Sequence, residues 1–139
     1  MLKRLIPSAL IAPGILALGL LPSPARADAP FTIAPIKVSA RVGAATTAHV
    51  SVKPSSGFHI NKDYPTSLKV TAPDGVAVPK PALGKADGQV SEQEAAFDVV
   101  LTPSVAGART IAGELKFAVC SATTCDPHRE KFTILVDSK

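Results

Sequence analysis

The sequence predicts an all-β chain whose strands pair into two packed sheets. Short runs that alternate apolar and polar residues fill most of the chain, and this period of two is typical of strands with one buried face. Turn residues such as Pro, Gly, Asp and Ser separate the runs at spacings near ten residues. Beyond the N-terminal segment, no run spaces its apolar residues as an amphipathic helix does. These observations favour a β-sandwich.

Five strands are predicted in the first half of the domain. The first covers residues 31–42, where Pro35 suits an edge strand or a bend because proline has no N–H to donate to a ladder. A turn at Pro73-Asp74-Gly75 separates the fourth strand from the fifth. The inward-facing residues of the second to fifth strands are Ala48, Val50 and Val52; Phe58 and Ile60; Leu68 and Val70; Val76 and Val78.

The second half contains three predicted strands after a long loop. Residues 82–93 are small, polar and glycine-containing, so we predict a loop of about a dozen residues, a length that usually has a functional reason. The inward-facing residues of the three strands are Phe97, Val99 and Leu101; Ile111, Gly113, Leu115, Phe117 and Val119; Phe132, Ile134 and Val136. The whole pattern predicts an immunoglobulin-like antiparallel β-sandwich of about seven strands. The inter-sheet disulfide of antibody domains is not expected, because the two cysteines are close in sequence and there is no tryptophan.

The N-terminal segment is organised as a targeting sequence. Residues 3–4 are basic, residues 5–21 are apolar and residues 25–27 form a small-x-small cleavage site ahead of Asp28. A permanent membrane anchor is the alternative. However, prolines and a glycine interrupt an apolar run of only 17 residues, which is shorter than the ~20 that a spanning helix needs. We therefore predict a cleaved secretory signal peptide at residues 1–27.

Residues 28–139 are predicted to form one exported domain with no stable membrane insertion after cleavage. We expect it in the periplasm, an oxidising space in which disulfides persist. Residues 28–139 carry 12 basic and 11 acidic side chains, a net charge of +1. Because a nucleic-acid interface requires a basic patch or stripe, we expect no nucleic-acid partner.

The only two cysteines, Cys120 and Cys125, are separated by four residues at the end of an alternating strand. In a hairpin with this loop length they face each other across the ladder. Their Cα atoms are then about 4.5–5.5 Å apart, which is within the range of a disulfide. Leu115, Phe117 and Val119 mark the apolar face of the strand. Cys120 is therefore expected to point away from the core, toward solvent or a covering loop.

Two roles for the cysteine pair follow from its spacing. A structural staple closing so small a ring would stabilise the fold by only about 2 kcal/mol on the loop-entropy model. Thiol-disulfide exchange needs an accessible sulfur, a second thiol within bonding reach and a group that stabilises one thiolate. His128 and Arg129 follow Cys125 closely, and either would lower a cysteine pKa if it folded back toward the pair.

A metal site is the third possibility. Its ligands would be Cys120, Cys125 and His128, with His59 or His49 as the fourth. The pattern is a weak zinc signal, because zinc knuckles usually combine two tight ligand couples and this chain has one. We expect no bound metal and no cofactor.

Two segments resemble a known family. Residues 57–65 read Gly-Phe-His-Ile-Asn-Lys-Asp-Tyr-Pro, and residues 116–127 read Lys-Phe-Ala-Val-Cys, four residues, then Cys-Asp-Pro. Together they resemble the periplasmic N-terminal domain of the membrane thiol:disulfide interchange protein of DsbD type, the disulfide bond corrector family. The best-known members have five residues between the cysteines and aromatic residues in a cap loop. The corresponding residues 82–93 contain no aromatic residue.

The resemblance implies an immunoglobulin-like sandwich that passes electrons between redox proteins through cysteines matching Cys120 and Cys125. It implies as partner a thioredoxin-like or membrane-embedded thiol-disulfide oxidoreductase, which we expect as a separate chain. His59 lies on the polar side of its strand, and it either is a plain surface residue or assists proton transfer near the pair; His128 is the second possible assisting residue. The alternative from a different class is a noncatalytic periplasmic binding module in which the disulfide is a structural staple.

Overall fold

In a computed structural model, which describes residues 29–139, the chain forms two β-sheets that enclose one hydrophobic core. The predicted signal peptide at residues 1–27 lies outside the described residues. Eleven strands are present in the described part, five of them only two or three residues long. The strands are β1 (Phe31–Ile33), β2 (Ile36–Ala40), β3 (Thr46–Pro54), β4 (His59–Ile60), β5 (Ser67–Thr71), β6 (Val76–Ala77), β7 (Ala82–Gly84), β8 (Gln89–Val90), β9 (Ala95–Pro103), β10 (Gly107–Cys120) and β11 (Cys125–Ser138).

The two sheets give the predicted immunoglobulin-like β-sandwich. One sheet has the strand order β1-β3-β9-β6, with β8 also pairing with β9. The other has the order β2-β11-β10-β5-β7, with β4 pairing with the end of β10. All pairs are antiparallel except β2 with β11, which is parallel. The fold class is therefore confirmed, and one parallel pair makes the second sheet mixed.

The core contains most of the alternating apolar residues that the sequence predicted, together with Ile36, Ala40, Leu83 and Ala95. Phe97 on β9 and Phe117 on β10 are at most 1% exposed, and they belong to the two opposite sheets. Gly113 of β10 faces Phe132 of β11, and a Cβ atom at Gly113 would lie 2.6 Å from a ring carbon of that phenylalanine. The glycine therefore makes room for the aromatic ring, so its place in the alternating pattern reflects packing.

The chain changes sheets within the segment predicted as the first strand. β1 pairs with β3 in one sheet, whereas β2 pairs with β11 in the other. Ala34 and Pro35 lie between the two strands and belong to neither. The single strand predicted at residues 31–42 is therefore wrong, while the bend at Pro35 is confirmed.

Phe58 does not face the core as predicted. Ile60 is fully buried, but Phe58 is 38% exposed, because β4 begins only at His59. Phe58 instead ends a turn, in which its N–H donates to the carbonyl of Ser55 at 3.0 Å.

The predicted loop at residues 82–93 is largely ordered by pairing. β7 joins one sheet, a 3-10 turn covers Lys85–Asp87, and β8 joins the other sheet. The carboxylate of Asp87 accepts a hydrogen bond from Lys80 and another from the N–H of Gly84 at 2.8 Å. These contacts lower the pKa of Asp87, with the Lys80 bond the larger cause. The segment thus connects the two sheets, which explains its length.

Candidate functional site

The longest hairpin of the described chain ends at the cysteine pair. β10 and β11 pair over fourteen positions, from Gly107 opposite Ser138 to Cys120 opposite Cys125. The two cysteines are joined by a disulfide, and their Cα atoms are 4.0 Å apart. The prediction that they face each other is confirmed, with a slightly shorter separation than expected.

The hydrogen bonding of the turn accounts for this close approach. The N–H of Ser121 donates to the carbonyl of Thr124 at 2.7 Å, so the cysteines form the next pair in the ladder. In an antiparallel ladder that next pair is of the closer, non-hydrogen-bonded kind. The hydroxyl oxygen of Ser121 also accepts the N–H groups of Thr123 at 3.2 Å and Thr124 at 3.1 Å. Serine often closes turns in this way, so the hairpin tip is held by hydrogen bonds as well as by the disulfide.

The two cysteines differ sharply in exposure. Cys120 is 2% exposed, whereas Cys125 is exposed at the start of β11. Cys120 lies outside the contiguous core cluster, as its side of the strand predicted. Of the two expected surroundings, solvent or covering chain, its burial corresponds to the second. Ala118, Val119 and Cys120 are each 2% exposed, so both faces of β10 are covered at this end. β4 runs along it, and the N–H of Asn61 donates to the carbonyl of Ala118 at 2.9 Å.

His59 is brought beside the disulfide. It is the register partner of Cys120 in the β4–β10 ladder, and it is exposed. Directly opposed residues project from the same face of a sheet with Cβ atoms about 4.5–5.5 Å apart. His59, Cys120 and Cys125 therefore form a row across three adjacent strands, on the face away from the core.

His128 is not brought to the disulfide. It is the register partner of Phe117, whose ring faces the core, so it projects from the opposite face of the hairpin to the cysteines. Its ring stacks on Phe117 at a centroid distance of 5.5 Å and meets the edge of Phe31 at 4.8 Å. Arg129, the other cation near Cys125, donates to the carboxylate of Glu114 at 3.0 Å. Of the nearby basic side chains named from the sequence, His59 alone flanks the pair.

The proposed metal ligands are dispersed. Both sulfurs are used in the disulfide, His128 faces the core, and His49 contacts Asp98 at 2.8 Å on the other sheet. Within residues 29–139, no group of three or more His, Cys, Asp or Glu side chains is arranged to hold a metal ion. The same described residues include no helix with the length and apolar character needed to cross a membrane.

The segment that follows β7 supports the cysteine side of the sandwich. The carbonyl of Glu92 accepts the N–H of Ile60 at 2.9 Å, and the ammonium of Lys85 donates to the carbonyl of Lys62. The first contact holds β4 itself, which flanks Cys120, and the second holds the chain two residues after β4. Residues 82–93 thus support the strand that carries His59, a role that their composition did not reveal.

Removing the disulfide should leave the fold intact. The double variant Cys120→Ala, Cys125→Ser replaces the buried cysteine by alanine and the exposed one by serine. Its free energy of unfolding in urea should be lower than that of wild type by about 2 kcal/mol, the loop-entropy value for so small a ring. The fourteen-position hairpin and the bonds of Ser121 remain in this variant. Wild-type protein unfolded in the presence of a reductant is the control. A double variant that is unfolded in buffer at room temperature would instead favour the structural staple.

No protein-family model and no curated protein matches the chain. Among solved structures, the ASH/PapD-like domain 7 of human CEP192 is 9% identical over 91% of this chain and 98% of that chain, with a TM-score of 0.43. AggA, the major subunit of aggregative adherence fimbriae type I from Escherichia coli, is 11% identical over 78% of this chain and 93% of that chain, with a TM-score of 0.40. Domains 4 and 5 of the S-layer protein SbsC are 19% identical over 78% of this chain, with a TM-score of 0.39, and the match spans 50% of that two-domain chain. These likenesses are too distant to bear on function.

Proposed function

We propose that this chain is an exported, periplasmic immunoglobulin-like domain that relays electrons through Cys120 and Cys125 by thiol-disulfide exchange with a partner redox protein. The observation that carries the proposal is the disulfide at the tip of the hairpin, which joins an exposed cysteine to a buried one. Exchange requires one sulfur that a partner thiolate can reach and a second sulfur that can leave and later return. The pair meets both requirements.

The exchange proceeds in two displacements. A partner thiolate attacks the Sγ atom of Cys125, the bond to Cys120 breaks, and Cys120 leaves as a thiolate that takes up a proton. A second partner thiolate then attacks the partner's own sulfur in the mixed disulfide and releases Cys125. This chain gains two electrons and becomes a dithiol, and the partner becomes a disulfide. The reverse sequence passes the same two electrons onward to another oxidised protein.

His59 is the residue that we propose assists the first displacement. It is the cross-strand neighbour of Cys120, on the same face of the sheet. From there the imidazole can donate a hydrogen bond or a proton to the departing thiolate, and stabilising the leaving sulfur speeds exchange. We propose no such role for His128, because its ring stacks against Phe117 on the core side.

A purely structural role accounts less well for the disulfide. The hairpin that it closes is already paired over fourteen positions and its turn is hydrogen-bonded. A staple at this place would add only about 2 kcal/mol. The N-terminal leader supports export to a compartment where both oxidised and reduced thiols are handled. We further propose that the chain is related to the N-terminal domain of DsbD-type interchange proteins, with the partner on a separate chain.

The reduction potential of the pair tests the proposal. Equilibrating the protein with thiol-disulfide buffers and counting free thiols by alkylation and intact mass should give a value of roughly −120 to −270 mV, the range of thiol oxidoreductases. A relay pair must lie there in order to exchange with such partners. The variant lacking both cysteines serves as the control for alkylation background. A potential below about −300 mV would identify a structural bond and favour the noncatalytic binding module.

A further inference from the structure

One large apolar side chain is exposed at the cysteine end of the sandwich. Five large hydrophobic residues are exposed in the described chain, and Phe58 is the only aromatic one, at 38%. The other four are Val42, Val100, Val105 and Leu135. Val105 lies in the turn between β9 and β10, and fourteen strand residues separate that turn from the cysteine tip, about 45 Å at the usual rise.

The register of β4 places Phe58 next to the disulfide. Ile60 is opposite Val119 and His59 is opposite Cys120. Phe58 is the residue before His59, so it adjoins the strand position beside the disulfide. Neighbouring strands are about 4.8 Å apart, and one strand, β10, separates β4 from β11. The backbone at His59 is therefore about 10 Å from that of Cys125, and the backbone at Phe58, one residue further, is within about 14 Å of it.

A shallow groove of about 260 Å³ is lined by Phe58 and by His59, the residue opposite Cys120. Ser55 and Ser56 line one part of it, and Glu92 and Gln93 line another. The groove thus combines an aromatic side chain with hydroxyl, carboxylate and amide groups. Protein interfaces are likewise enriched in aromatic residues and carry polar groups around them.

We propose that Phe58 and this groove are the surface on which a thioredoxin-fold oxidoreductase docks when its thiolate attacks Cys125. The inference rests on the proposed function. Weak redox complexes bury up to about 600 Å² per partner, and a patch of that area centred on Cys125 has a radius of about 14 Å. A protein that bonds Cys125 therefore covers Phe58. Aromatic side chains buried near the centre of an interface are frequent anchors of binding.

The reduction rates of the oxidised protein by two reductants test this surface. The first reductant is a reduced thioredoxin and the second is dithiothreitol, which is too small to contact Phe58 while attacking the disulfide. Exchange passes through an encounter complex, so weaker docking lowers the second-order rate with thioredoxin by the same factor. Phe58→Ala should reduce that rate about tenfold and leave the dithiothreitol rate within about twofold of wild type.

Val105→Ala is the matched control, because it removes a similarly exposed apolar side chain, at 43%, far from the cysteines. It should change neither rate. An unchanged thioredoxin rate in Phe58→Ala would overturn the docking surface while leaving the relay intact. Equal slowing with both reductants would also overturn it, since Phe58 would then act on the disulfide itself. If wild-type protein reacts with dithiothreitol but not with thioredoxin, the relay and the docking surface both fail.

Discussion

A variant that keeps only Cys125 should trap a thioredoxin-fold partner as a stable mixed disulfide, and one that keeps only Cys120 should not. Cys125 is exposed at the start of β11, whereas Cys120 is 2% exposed between β4 and β11. With Cys120→Ala, the partner's sulfur bonds Cys125 and no second thiol in this chain resolves the bond. We expect the trapped fraction on non-reducing gels to be at least about tenfold higher than with Cys125→Ala.

The reactivity of the remaining thiol in each single variant must be compared between the folded and the unfolded state. In urea, the two thiols should react equally with a small alkylating reagent, because the difference comes from burial in the fold. Preferential trapping through Cys120 would reverse the assigned roles of the two sulfurs. Trapping by neither variant, tried with several exported oxidoreductases, would count against electron transfer.

The sequence was most informative where one face of a strand is buried. Alternation predicted the inward side chains of β3, β9 and the middle of β10, because a period of two maps directly onto the two faces of a sheet. It also predicted the facing cysteines, since the loop length fixes the register of a hairpin. The bend at Pro35 followed from the missing N–H. These features depend on local chemistry, which a single sequence contains.

The sequence was least informative where distant segments meet. The position of Cys120 in the strand left open whether solvent or other chain segments lie beside it. The pairing of β4 with the end of β10 joins residues some sixty positions apart, which alternation along one strand does not reveal. Phe58 fitted the inward positions of a strand, but the strand starts one residue later. Residues 82–93 lack strand-forming runs and acquire their short strands by pairing with β5 and β9.

Some residues that the sequence predicted for the candidate site lie there in the structure, and others do not. Both cysteines and His59 were named from the sequence, and the structure brings these three into one row. His128 was named because it is near Cys125 along the chain. Cys125 and His128 are three positions apart, an odd separation that places their side chains on opposite faces of β11. Only the register of His128 with Phe117 shows which of those faces is buried.

Phe117 should make one of the largest single contributions to stability, and Phe117→Ala should lower the free energy of unfolding by about 3–5 kcal/mol. Its ring is fully buried, meets Phe31 of the opposite sheet at a centroid distance of 4.8 Å and stacks on His128. Truncation therefore removes apolar burial and leaves a cavity between the sheets. Urea unfolding measures the loss. Leu135→Ala on the same hairpin is the control, because that side chain is 44% exposed and its removal should cost no more than about 0.5 kcal/mol.

A second variant at the same position separates stability from the chemistry of the disulfide. Phe117→Leu keeps most of the buried volume, so it should cost less than alanine. The ring of Phe117 and the cysteine pair lie on opposite faces of β10, so the reduction potential of Phe117→Leu should equal that of wild type. A stability loss below about 1 kcal/mol in Phe117→Ala would contradict the role of this ring in joining the sheets. A changed potential in Phe117→Leu would contradict the separation of the aromatic cluster from the redox pair.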